Sequence, residues 1–199
     1  MKSLLKLVAS LSFIAFMSGC STQMVKSKTG LIQPPTDDQA TIVFMRSSFI
    51  ASGVGVELFE ITDGELEFIG NLPNGSKVAH KTEPGQKVYM AYGNAADFMI
   101  ANVEAGKTYY SIVRPNWWSG GFAPTPIRTD GSSNYHTGLS EFESWKDDST
   151  LLELKPTAQE WFAERRKKYE KIYRIYWNKF QTKSDDKKQQ RTLNPQDGI

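Results

Sequence analysis

The 199-residue chain has a single cysteine, only two histidines and no uninterrupted apolar run of the ~20 residues that a membrane-crossing helix needs. One thiol excludes an intramolecular disulfide, so the folded state has to rest on burial. His80 and His136 have no second histidine or cysteine at metal-ligand spacing, and neither metal nor cofactor is expected. A G-x-S-x-G elbow, an H-E-x-x-H pair and a glycine-rich phosphate loop are also missing, so no residue nominates itself as nucleophile or base. Charge of one sign is scarce too: 24 Lys and Arg face 22 Asp and Glu. That balance lacks the basic footprint of a nucleic-acid binder.

What is present begins with "MKSLLKLVASLSFIAFMSGC". Lys2 and Lys6 form a short positive region, Leu7 to Met17 an apolar core, and Ser18 and Gly19 a small-residue exit, which is the layout of a secretory signal. Met17-Ser18-Gly19-Cys20 resembles the lipobox of bacterial lipoprotein precursors, with Met where Leu is usual. The resemblance implies removal of residues 1–19 and acyl chains on Cys20. Several chains anchor a protein stably where one does not. The competing reading is an ordinary small apolar residue in an uncleaved or buried segment. The lipoprotein resemblance further implies, from Ser21 in place of Asp, the outer membrane with the body facing the periplasm; the inner membrane and surface exposure are the alternatives.

Without Lys2 and Lys6 the remaining chain is neutral but unevenly charged. Residues 20–155 carry 11 basic against 16 acidic side chains, and residues 156–199 carry 11 against 6. Residues 20–39, polar and with Pro34-Pro35, read as a flexible tether reaching up to ~60 Å. From Ala40 short runs of β-branched and aromatic residues alternate with turn residues: "ATIVFMR", "VGVELFEI", "LEFIGNL", "SKVAHKT", "KVYMAY", "DFMIANV" and "KTYYSIV". Asp63-Gly64 is a hairpin signal, because both residues tolerate the positive φ of a tight turn. This spacing predicts a mainly β domain over 40–155, an antiparallel sandwich or small barrel. Glu57, Glu60, Asp63, Glu65 and Glu67 read as the wet face of adjoining strands.

"IGNLPNGS" (69–76), "EPG" (83–85) and "VEAGKTYY" (103–110), after a strand ending in Arg46, resemble the bacterial domain of unknown function family 2846 (DUF2846), found in small lipoproteins. The resemblance covers roughly residues 40–114. It implies a transthyretin- or immunoglobulin-like domain and no agreed activity.

Residues 114–149 mix aromatics with Gly, Pro and Ser and read as a long loop. Trp117 and Trp118, with Phe122, are the candidate ligand or partner contacts, since flat amphipathic rings stack on sugars and clamp peptides. The alternative is that the rings cap an open end of the sandwich. "SEFE" (140–143) suggests a capping box opening a short helix, and "TLLEL" a last strand. Over 156–182, Phe162, Tyr169, Ile172, Tyr173, Tyr176, Trp177 and Phe180 fall on one arc of a long amphipathic helix, with Thr157 and Glu160 spaced as its capping box. Packing of that stripe on the sandwich is expected over a membrane or partner contact. Residues 183–199 are polar and aperiodic and read as a disordered tail.

Three functions are compatible with these features. The first is a non-catalytic, lipid-anchored interaction or structural module of the cell envelope. The second is a lipoprotein that binds glycan or peptide through Trp117 and Trp118. The third is an envelope hydrolase without a recognisable motif. The expected partners are the membrane, through Cys20, and an envelope protein or glycan.

Overall fold

The computed structural model describes residues 23–48 and 50–199. Residues 1–19 and Cys20 lie outside them. The chain is mainly β: two mixed sheets packed as a sandwich, with a long helix near the C-terminus. The six-stranded sheet contains, in spatial order, β1 (Met24–Lys26), β10 (Thr150–Leu154), β5 (Ser76–Thr82), β2 (Ala40–Arg46), β8 (Thr108–Asn116) and β9 (Gly121–Pro126). The five-stranded sheet contains β11 (Thr192–Leu193), β7 (Ala95–Val103), β6 (Gly85–Gly93), β3 (Val56–Thr62) and β4 (Glu65–Leu72). Most neighbours are antiparallel, but β10 with β5, β2 with β8 and β11 with β7 run parallel.

The inner faces meet where Ile42, Phe44, Tyr109 and Val113 oppose Val56, Leu58, Tyr89 and Met99. Asp63 and Gly64 take φ of +52° and +84° in the turn from β3 to β4. The Tyr-Tyr pair splits as alternation demands: Tyr109 is buried in this core, and Tyr110 leans outward against Phe142. Outside the six-stranded sheet lies α1 (Ser140–Asp147), covering Val43, Met45 and Ile112 with Phe142.

Outside the five-stranded sheet lies α2 (Ala158–Gln181), whose Phe162, Tyr169 and Phe180 are buried against Phe59, Phe68 and Phe98. The stripe is therefore core. Phe59 sits 4.7 Å from the Tyr169 ring and 5.6 Å from Phe162, close enough for the edge and tilted contacts that aromatic quadrupoles favour.

Several local expectations are corrected. Neither capping box forms: Thr157 is the N-cap of α2 with φ −86° and ψ 1°, away from the extended backbone that aims a cap side chain at the first turn. Ser140 is already helical, and its hydroxyl bonds Glu141.

The stretch read as a tether joins the body from residue 23. β1 pairs with β10, Ser27 N–H donates to Leu151 O at 2.9 Å and its hydroxyl to Glu153 at 2.6 Å. Pairing there satisfies backbone groups that would otherwise stay open along β10.

The supposed loop at 114–149 opens as a hairpin, with Ser111 to Asn116 opposite Pro126 to Gly121. Its prolines are tolerated because β9 is an edge strand and Pro115 lies beyond the last β2 pairing, Met45 with Ile112.

The tail is also ordered. It contains α3 (Asp185–Gln189), β11 and a 3₁₀ turn at Pro195–Asp197. Arg128 donates to Asp197 at 2.6 Å and Arg191 to Asp97 at 2.9 Å, two ion pairs that fix polar sequence without any apolar period.

Candidate functional site: the tryptophan hairpin

Trp117 and Trp118 occupy the turn between β8 and β9, and they are 75% and 100% exposed. Rings so open cap nothing. Phe122, the third candidate, is 2% exposed and belongs to the core. It lies under the guanidinium of Arg46, 4.4 Å from ring centre to Cζ, and is unavailable to a ligand. Arg46 itself donates to the carbonyls of Leu72 (2.8 Å), Ala51 (2.7 Å) and Val54. Burial pushes its pKa down to about 10.

Asn116 holds the turn from both sides. Its carbonyl accepts the N–H groups of Ser119 (3.2 Å) and Gly120 (3.0 Å), and its Oδ1 accepts that of Trp118 (3.2 Å). Its Nδ2 donates to Asp97 Oδ2 at 2.7 Å, the same oxygen that receives Arg191 Nη2. The other Asp97 oxygen takes the Phe98 N–H at 2.9 Å. A buried carboxylate thus ties the tail to the indoles. Gly121, at the base of the turn, packs so tightly on β7 that a Cβ there would collide with the Ala95 carbonyl.

Between the turn and the end of α2 lies a groove of about 280 Å³, lined by Trp118, Ser119, Asp97, Tyr176, Lys179 and Lys183. Lys179 Nζ lies 5.2 Å from the Tyr176 ring centre and Lys183 Nζ 5.7 Å from that of Phe180. Among the described residues neither lysine has a carboxylate partner. An exposed ring plane beside two unpaired ammonium groups suits a ligand with a flat or pyranose face and a negative charge. Sequence reasoning found the indoles and missed Asn116, Asp97, Tyr176, Lys179, Lys183 and Arg191. The basic excess of residues 156–199, which includes Lys179 at the end of α2 and Lys183 just beyond it, was the one legible sign.

A second polar cluster sits at the other end of the sandwich. Glu60, 6% exposed, accepts from Tyr89 Oη at 2.8 Å and Thr62 Oγ1 at 3.1 Å, meets His80 Nε2 at 2.7 Å, and has Lys87 Nζ at 3.7 Å. Burial alone would raise its pKa, but the hydrogen bonds from His80 and Tyr89 and the His80 charge outweigh it and hold the carboxyl down at about 2. Glu60 is therefore no wet-face acid. It shares the inward face of β3 with Leu58 and Val56, two and four residues back, and that alternation was the signal.

Among the described residues no group of three or more His, Cys, Asp or Glu side chains converges as metal ligands, and no helix is long and apolar enough to cross a membrane. A scan of the chain against protein-family models matched no family, and a search of curated proteins found no match.

Proposed function

We propose that this chain is a lipid-anchored protein of the bacterial envelope that acts without catalysis, as an interaction module, through the Trp117–Trp118 hairpin. The observation that carries the reading is the pair of solvent-exposed indoles on a turn locked by Asn116 and Asp97. Ordered, exposed aromatics leave apolar surface in water that a partner would cover.

The anchor geometry supports this use of the hairpin. Cys20 is three peptide links from Gln23, at most about 11 Å, so acyl chains on Cys20 would keep the start of β1 close to the membrane. β1 runs in the same direction as β2 and β8, as the intervening pairings require. Trp117 follows the end of β8, nine residues and about 30 Å from that strand's start. The indoles therefore point away from the bilayer, towards the periplasm if the anchor is in the inner leaflet of the outer membrane. Kinship with family 2846 belongs to the same proposal and rests on the turn and Tyr-Tyr motifs.

A glycan or glycan-linked peptide is the favoured partner, because the adjoining groove adds Tyr176 and two unpaired lysines to the Trp118 ring. The test is co-sedimentation of the full chain, in non-ionic detergent, with purified peptidoglycan sacculi. Trp117→Ala with Trp118→Ala is expected to cut retention at least tenfold. Equal retention of parent and variant would remove the hairpin from the binding surface. Parental failure to sediment, with crosslinking to an envelope protein that depends on the tryptophans, would keep the module and replace the glycan by a protein.

A further inference from the structure

A separate cavity of about 340 Å³ opens between β8, β9 and the segment at 132–135. Arg114 and Arg191 both line it, and no acidic side chain does. Arg191 is provided for, since it donates to Asp97, to Pro124 O at 3.2 Å and to Thr125 Oγ1 at 3.1 Å. Arg114 is not. Its guanidinium stacks on the Tyr135 ring, 4.9 Å from the centre, yet makes no hydrogen bond or ion pair among the described residues, and its Nε is buried without a partner. Asp97, the acid that serves Arg191, already accepts from Arg191, Asn116 and the Phe98 amide and makes no hydrogen bond or ion pair with Arg114.

The buried Nε–H of Arg114 has no acceptor, and a buried donor left unsatisfied is costly. Two guanidinium cations facing one cavity add repulsion, and the Arg114 charge joins burial in lowering the pKa of Arg191. An anion in the cavity removes both penalties at once. The fork geometry selects an oxyanion, carboxylate or phosphate, that can accept two parallel bonds. The cavity lies at the small end of ligand sites, room for about one sugar ring. The amides of Asn134 and Gln190 stand in its lining as donors and acceptors for hydroxyl groups.

We propose that this cavity binds an oxyanion carried on a small polyhydroxylated molecule, a sugar phosphate or a sugar carboxylate, with Arg114 as its principal cation. The site stands apart from the hairpin reading, and either can fail without the other.

Calorimetric titration of the full chain in non-ionic detergent at low salt provides the test, with glucosamine 1-phosphate, N-acetylmuramic acid, inorganic phosphate and uncharged N-acetylglucosamine as probes. At least one charged sugar is expected to bind with a 1:1 stoichiometry, at least tenfold more tightly than the uncharged one, and Arg114→Gln is expected to weaken it at least tenfold. Which charged sugar binds more tightly identifies the phosphate or the carboxylate as the natural group. Inorganic phosphate binding as tightly as either sugar would overturn the sugar part. Binding of neither charged sugar at millimolar concentration, or a twofold or smaller effect of Arg114→Gln, would overturn the site. Should that variant not fold, phenylglyoxal labelling of the parent protein gives an independent answer: the charged sugar is expected to protect Arg114, and undiminished labelling at saturation counts against the proposal.

Discussion

Aromatic residues crowd two regions of this protein and meet opposite fates. On α2, Phe162, Tyr169 and Phe180 are buried against a sheet face that supplies Phe59, Phe68 and Phe98. At the β8–β9 turn, Trp117 and Trp118 stand in solvent on a backbone tied down by Asn116. The difference lies in what opposes them. A stripe at helical period finds a complementary apolar face, and burial at ~25 cal/mol per Å² then dominates. Two adjacent residues at a hairpin tip face no second layer, and the hydrogen bonds of Asn116 hold them out. Rings on the helix stabilise the fold, whereas rings on the turn are free to stabilise a complex.

Truncating each region should break that comparison apart. Phe162→Ala removes a ring packed on Phe59 and Phe68 and should cost about 3–5 kcal/mol, a fall in Tm of roughly 10 °C by calorimetry or circular dichroism. A loss below 1 kcal/mol would mean that the helix is not part of the core.

The next effect belongs to the polar seam between the sheets. The Glu60 carboxyl titrates at about 2 in the folded protein against an ordinary value of 4.5. A depressed folded pKa gives stability that is full above the unfolded value and is lost as pH falls through the folded one. Glu60 should thus contribute about 3 kcal/mol above pH 4.5 that disappears by pH 2. Denaturant titrations between pH 6 and 2 should show this decline, and Glu60→Gln should flatten it. A variant with the parental pH slope would assign the acid sensitivity elsewhere.

The smallest effect is expected at the hairpin. Trp117→Ala with Trp118→Ala should change stability by less than about 0.5 kcal/mol, the usual range for exposed positions, while abolishing the proposed binding. A melt lowered by several degrees would show that the indoles support the fold after all.

The physical reason some features were legible and others not is the range over which each is specified. The strands from Ala40 to Val113 and the buried stripe of α2 follow from alternation at 2 and 3.6 residues, which local sequence records. The same rule puts Glu60 on the buried Val56–Leu58 face, although its charge led to a wet-face reading. Asp63-Gly64 carried its turn type in two residues. The C-terminal tail was not legible, because what orders it is Arg128 with Asp197, 69 residues apart, and Arg191 with Asp97, 94 residues apart. Polar pairs of that separation leave no periodic trace.

By itself, then, the sequence determined the strands between Ala40 and Val113, the long helix Ala158–Gln181 and the apolar face of that helix, because periodicity settles those properties within a few residues. Only the tertiary structure decided which aromatics are covered, that Phe122 is core while Trp118 is not, that Asp97 braces the hairpin through Asn116, and that Arg114 is left facing a cavity without an acid. Each of those depends on what a distant part of the chain brings to within 3–5 Å.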